Sequence, residues 1–257
     1  AGSFAANAIL TTDTFAKEGH IEFHLHNKEI NIGGFAKGSG MIHPNMGTML
    51  AFIVTDAAIE KNLLDKSVKK AVDKSFNMIT VDGDTSTNDM VAVLANGMAE
   101  NKEITSEEDP EYKIFEHHLE QMMIHLAKLI ISDGEGASKF IEYKVTHAAS
   151  EAVARKIARG ISDSLLVKTA MFGRDPNWGR IIMAAGNVGA HFDSSIVDLY
   201  MGDQSQLVQV LKDGAPIEFD RNKVKKLLRE SHLRVHLKLN TGEEEATAWG
   251  SDITTDY

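Results

Sequence analysis

The sequence predicts a layered α/β (α+β) fold, and three observations carry that prediction. Short apolar runs with strand-like alternation recur between longer stretches of helical spacing. Glycine, asparagine and proline punctuate the joins, and no internal repeat or low-complexity linker interrupts the pattern. The composition agrees: 257 residues, 43% hydrophobic and 25% charged, suit a globular chain with room for a large core.

Taken in order, His20 to His26 alternates apolar and polar, turns at Asn27-Lys28 and continues from Glu29 to Ile32, the pattern of a hairpin. Residues 33–47 are glycine-rich and contain Pro44, which predicts an irregular loop. Met49 to Val54 has the length of a buried strand. Ala57 to Phe76 places Ile59, Leu63, Leu64, Val68 and Val72 at helical spacing. Met78 to Val81 reads as a strand and Asn88 to Met98 as a helix capped by Ser86 or Thr87. Glu107 to Ile131 is a long amphipathic helix, Phe140 to Val145 a strand, and Ser150 to Ile161 a helix capped by Ser150. A strand near Leu165 to Met171, a helix after Asn177 and strands near Ile196 to Met201 and Leu233 to Leu239, with a helix between, complete the expectation.

Charge and composition narrow the function. A formal net charge of -10 weighs against a nucleic-acid or anionic-membrane partner. The sequence has no run of 18 apolar residues of the kind that crosses a bilayer as a helix. Cysteine is absent, so covalent catalysis would fall to Ser, Thr, Lys or a carboxylate. The chain starts at Ala1 without an initiator methionine and stops abruptly at Tyr257, and further sequence is expected at both ends.

The segment that carries chemistry is Gly33-Gly34-Phe35-Ala36-Lys37-Gly38-Ser39-Gly40-Met41-Ile42-His43-Pro44-Asn45-Met46-Gly47-Thr48-Met49-Leu50. Its glycines and proline let the backbone take tight shapes, and a Gly-Thr pair sits where the loop meets an apolar run. In a strained peptide the Thr48 hydroxyl can attack the Gly47 carbonyl and shift the acyl group from nitrogen to oxygen. Hydrolysis of that ester would leave Thr48 as a new N-terminus. Its α-amine, with a pKa of about 7.7–8, could then serve as base for its own hydroxyl. A phosphate cradle and a plain turn are the competing readings, although the loop lacks the GxxxxGK[ST] spacing.

The run KGSGMIHPNMGTMLAF resembles the self-cleavage and active-site segment of the ornithine acetyltransferase family, the bifunctional glutamate N-acetyltransferase/amino-acid acetyltransferase of arginine biosynthesis. Four further segments resemble that family in the same order: Ile9 to Thr14 (ILTTDT), Val81 to Asp89 (VDGDTSTND), Asp133 to Ala137 (DGEGA) and Lys168 to Arg180 (KTAMFGRDPNWGR). The resemblance implies a self-processing fold of the N-terminal-threonine type. It divides the chain into 1–47, the end of an α chain whose upstream part is missing, and 48–257, a β chain beginning at its nucleophile. It implies transfer of acetyl from N-acetylornithine to glutamate through acetyl-Thr48, with acetyl-CoA as a further donor in some members. No cofactor or metal is expected.

By the same resemblance Thr48 is the nucleophile, Gly47–Thr48 the cleavage site, and Lys37 a substrate contact. Thr11, with Thr12 a close rival, binds substrate, and Glu135 lies at the active site, binding an ammonium or moving protons. The expected partners are the small substrates and the other cleavage fragment, in a heterotetramer of two α and two β chains, without nucleic acid or membrane. The setting would be cytoplasmic, or organellar in a eukaryote. Two departures stand out. Gly47 replaces the alanine usual before the threonine. The family's upstream Thr-Gly oxyanion pair and its closing C-terminal tail lie outside residues 1–257, and loss of one oxyanion donor costs about 10²–10³ in rate. The rivals are an N-terminal-threonine amidase or aminopeptidase and an uncleaved, inactive scaffold.

Other signals read as structural. Asp82 to Asn88 has the oxygen spacing of a calcium loop but carries Thr87 and Val93 where such a loop needs Gly and Glu. His117, His118 and His125 lack HExxH spacing and fit a solvated helix face. His24 and His26 share one side of a strand, and His43 sits five residues before Thr48 as a loop-packing residue with a catalytic alternative. Gly173 to Arg180 reads as a rigid turn with an Arg–carboxylate pair, leading into the helix after Asn177.

Overall fold

A computed structural model describes residues 2–44 and 49–257, and the chain forms two compact units. The first comprises residues 1–77 and 84–133; the second comprises 78–83 and 134–257. The expected cut between Gly47 and Thr48 falls within the sequence of the first unit and outside the described residues.

The first unit is built on a four-stranded sheet. Helix α1 (Gly2–Ala8) precedes β1 (Lys17–Leu25) and β2 (Lys28–Lys37), an antiparallel hairpin. Its turn is one residue earlier than expected: His26 and Asn27 both take positive φ (48° and 62°), the geometry a two-residue hairpin turn needs. His26 therefore leaves the strand and approaches Asp109 at 3.5 Å. The loop expected from residue 33 begins only after Lys37, because β2 continues to pair with β3 (Leu50–Thr55) from Ile32↔Thr55 to Lys37↔Leu50. Glycine there serves close packing: a Cβ on Gly34 would stand 3.0 Å from Ile53 Cγ1 and 3.4 Å from Leu126 Cδ1.

The helix expected over Asn88 to Met98 is instead strand β5 (Met90–Ala95), parallel to β3 in the register Leu50↔Met90 to Thr55↔Ala95. Val91 and Val93 suit a strand, and the edge of β3 offers the pairing, so tertiary context decided this short apolar run. Residues 57–60 likewise stay out of the helix, with Ile59 bridged to Ile104, and α2 runs from Lys61–Lys74. Helix α3 (Pro110–Ser132) has its N-terminus capped by Asp109, which accepts from Glu111 N at 3.0 Å. It buries Tyr112, Phe115, Leu119, Met122, Met123, Leu126 and Ile130 along one stripe, packing on β1, β2 and α2.

The second unit has a seven-stranded mixed sheet in the order β4-β11-β6-β10-β7-β8-β9. The central strands β6 (Phe140–Ala148) and β10 (His232–Lys238) are parallel; β11 (Glu244–Ser251) runs against β6 and alongside β4 (Ile79–Thr80). The expected strands correspond to β4, β6, β7 (Asp198–Asp203) and β10, whereas β8 (Leu207–Lys212), β9 (Ala215–Pro216) and β11 went unread. Helix α4 (Glu151–Asp163) covers β6 and β11, and Ser150 caps it by accepting from Val153 N at 3.3 Å.

The strand expected near Leu165 to Met171 is helix α5 (Leu165–Phe172), capped by Ser164. Helix α6 (Trp178–Asn187) starts at the Asn177 cap, as the sequence implies, and α7 (Arg221–Leu227) lies against β7. The Gly173 to Arg180 segment is a turn whose Asp175 faces Arg221 at 3.5 Å, an ion pair with a partner outside the motif.

Candidate active site

The TTDT and KGSG segments meet in the first unit. Just after β2, Gly38 takes a φ of 144°, which is open to glycine alone among common residues. That conformation aims Gly38 N at Asp13 Oδ1, 2.6 Å away. It also leaves Lys37 Nζ donating to Thr11 Oγ1 at 2.9 Å and Thr12 Oγ1 beside Ser39 Oγ at 2.6 Å. Lys37 and Ser39 are buried, while Thr11 and Thr12 are exposed. A buried ammonium thus surfaces at a hydroxyl.

Beneath this contact lies a charged cluster that the sequence reading passed over. Lys17 Nζ is fully buried and bonds both Asp13 Oδ1 and Asp133 Oδ2 at 2.6 Å. Asp133 also accepts from Thr14 N at 2.9 Å and from the Thr14 hydroxyl. Burial alone would raise Asp13, but Lys17 and the amides of Gly38 and Thr11 outweigh it and hold the carboxyl below its ordinary range. Asp13 belongs to TTDT and Asp133 opens DGEGA, so both stood inside segments already singled out; Lys17, four residues after Asp13, was the remaining clue.

At the far side of the loop, Met49 is held through both of its backbone groups. Its N–H donates to Asp89 Oδ1, and its carbonyl accepts from Met90 N at 3.0 Å. Thr85 Oγ1 donates to the carbonyl of His43 at 2.9 Å. The acidic end of VDGDTSTND therefore anchors the segment that follows Thr48, and Asp89 is a second residue that sequence reasoning missed. Burial pushes its carboxyl up to about 6. Thr48 and Gly47 themselves lie outside the described residues.

Glu135 belongs to the second unit and is exposed. Its turn is fixed by the last residues of the chain. Asp252 accepts from Ser138 N at 2.8 Å, Ser138 Oγ at 2.5 Å and Lys139 N at 2.9 Å. Thr254 Oγ1 donates to Gly136 O at 2.6 Å, and Ala137 N closes the turn on Gly134 O at 3.0 Å. Ser251 O in turn accepts from the buried Lys168 Nζ at 2.9 Å. Burial lowers Lys168 to about 8, with Asp163, Asp82 and Asp252 opposing. KTAMF thus supports the strand from which the tail departs.

Two histidines of α3 touch β1. His118 sits edge-on to Phe23 with ring centroids 4.1 Å apart, and burial lowers its pKa. His125 Nε2 lies 3.3 Å from Glu18 O.

Comparison with known proteins settles the relationship. The sequence profile of the ArgJ family matches residues 2–257, nearly every residue of the chain. The chain belongs to the ArgJ family. It is 50% identical over 256 residues to an arginine biosynthesis bifunctional protein ArgJ from Symbiobacterium thermophilum, covering 100% of this chain and 62% of that protein. The ArgJ of Caldanaerobacter subterraneus subsp. tengcongensis is 49% identical, with 100% and 63% covered. The crystal structure of arginine biosynthesis bifunctional protein ArgJ from Bacillus halodurans superposes with a TM-score of 0.77 at 41% identity, covering 82% of this chain and 97% of that chain. The ArgJ relationship confirms the layered α/β architecture. The chain spans about 62% of the length of the ArgJ relatives it matches.

Proposed function

We propose that this chain forms part of a self-cleaving acetyltransferase of arginine biosynthesis, with Thr48 as the acyl carrier. The observation that carries the reading is the Lys37–Thr11 contact, which joins the two substrate-binding segments next to the threonine loop. Family membership over residues 2–257 supports it.

The reaction follows from the groups named. The Thr48 hydroxyl attacks the acetyl carbon of N-acetylornithine, its proton passes through the α-amine to the departing nitrogen, and the amide C–N bond breaks. Free ornithine leaves behind an acetyl ester. The amino group of glutamate then attacks that ester, the C–O bond breaks, and Thr48 recovers its proton as N-acetylglutamate departs. Lys37 and Thr11 present donors that suit the substrate carboxylate. Glu135 suits the ammonium of ornithine or a proton in transit. The exchange uses no cofactor, and acetyl-CoA is the co-substrate of a second activity. The cut fragments stay together and pair into an assembly of two α and two β chains, in the cytoplasm or, in a eukaryote, an organelle.

Intact mass of the protein, expressed with whatever coding sequence flanks residues 1–257 in its gene, tests this beside Thr48→Ala. Two fragments with a break between Gly47 and Thr48, absent from the variant, and acetyl transfer from N-acetylornithine to glutamate are expected. A single uncut mass in both would put the scaffold reading first. Acetate release without transfer would favour the amidase.

A further inference from the structure

Lys37 is a buried cation with no counter-charge of its own. Among the described residues its Nζ forms no ion pair, and its hydrogen bond goes to the Thr11 hydroxyl at 2.9 Å. Because Lys37 donates, Thr11 keeps its hydroxyl proton for another acceptor, and the ammonium has two further protons to give. Thr11 is exposed, so these donors gather where solvent or a ligand can reach them. An anion with two oxygens is their chemical complement.

Asp13 holds this pair from behind. Its side chain has no solvent access. Oδ1 accepts from Lys17 Nζ and from Gly38 N, each at 2.6 Å, and Oδ2 accepts from Thr11 N at 3.3 Å. Gly38 follows Lys37 directly, and Thr11 carries the hydroxyl. One carboxylate therefore grips the main chain on both sides of the Lys37–Thr11 contact and closes a ring of hydrogen bonds around it. Lys17, anchored on Asp133 at 2.6 Å, saturates the charge of Asp13 and leaves that of Lys37 for a ligand. All of these residues belong to the first unit. Stability alone does not require the arrangement, since apolar residues of similar volume often replace a buried ion pair without loss.

Resting on the function proposed above, we infer that Asp13 is a positioning residue for substrate: it sets the spacing of Lys37 Nζ and Thr11 Oγ1 to suit an α-carboxylate. N-acetylornithine and glutamate share that group, so the brace serves both half-reactions. Asp13 touches neither substrate and takes no part in bond making.

The test uses the protein expressed as above and two acetyl donors, N-acetylornithine and N-acetyl-1,4-diaminobutane, the same molecule without its carboxylate. In a ping-pong exchange, kcat/KM for the donor reports the first half-reaction alone. Wild type should favour N-acetylornithine, and Asp13→Asn should lower that preference at least ~10-fold by its effect on N-acetylornithine. For the carboxylate-free donor kcat/KM should stay within about threefold, whereas KM for glutamate should rise with the loss on N-acetylornithine. Added to Lys37→Met, the same substitution should change selectivity less than about twofold, because the pair it positions is already gone. An equal fall on both donors, or an unchanged preference, would overturn the proposal and leave Asp13 as a structural ion-pair partner. Additive effects with Lys37→Met would overturn it too. Should Asp13→Asn not fold, Asp13→Glu keeps the charge facing Lys17 and displaces the two amide contacts; lost selectivity is expected, and wild-type selectivity counts against the proposal. A wild type that transfers no acetyl refutes the function itself, and the brace for substrate falls with it.

Discussion

Lys17 is the clearest case of one side chain deciding a neighbourhood. It stands between Asp13 and Asp133 with no solvent access, so the two carboxylates depend on a single buried ammonium. Lys17→Met would preserve volume and leave both carboxylates without their cation, at a cost of about 3–5 kcal/mol. Because Asp13 is held below its ordinary range, its contribution is present above about pH 4 and lost only as pH falls through the folded value. The comparison therefore belongs at pH 7, where a denaturant midpoint unmoved by the substitution would refute the account. Loss of Lys37–Thr11 geometry should accompany the destabilisation, since Asp13 also receives Gly38 N.

Among elements, the tail after β11 and the Glu135 turn form one unit of structure. Gly136 has a φ of 62°, and a Cβ there would fall 2.6 Å from Tyr257 N. Gly136→Ala therefore strains its own backbone by about 1–2 kcal/mol and pushes the tail away. Hydrogen exchange at Asp252 to Tyr257 should rise clearly, and protection equal to wild type would show that the tail does not depend on the turn. The elements also show what a sequence discloses. Helix α3, the Ser150 cap and the Asn177 cap were legible because long apolar stripes and capping side chains are local signals. Strand β5 and helix α5 were misread because six or eight apolar residues carry no distinctive period, and neighbours decide their form. At the site, Thr11 and Lys37 could be named from motif resemblance, and the structure joins them. The roles of Lys17 and Asp89 were harder to read, because each rests on a residue far along the chain, 116 and 40 positions away.

Across the whole molecule, the proposed division into residues 1–47 and 48–257 would run through the first sheet. On one side lie β1 and β2; on the other lie β3, β5 and α3, joined by the β2–β3 ladder and by the packing of α3 on β1 and β2. Severing one peptide bond ahead of Thr48 would leave that ladder intact, so the native protein would not register the loss. Its unfolded state would. An uncut chain recovers its sheet by closing a loop, a unimolecular step, whereas a cut chain must find its other half by diffusion. Refolding yield of Thr48→Ala after denaturant should be independent of dilution, and that of the cut protein should fall as concentration falls. Equal yields at every dilution would mean the pieces never part. A protein so cut would pass its folding once as a single strand, and its later recovery would depend on how much of it is present, so at high dilution its lifetime would be set by how slowly it opens.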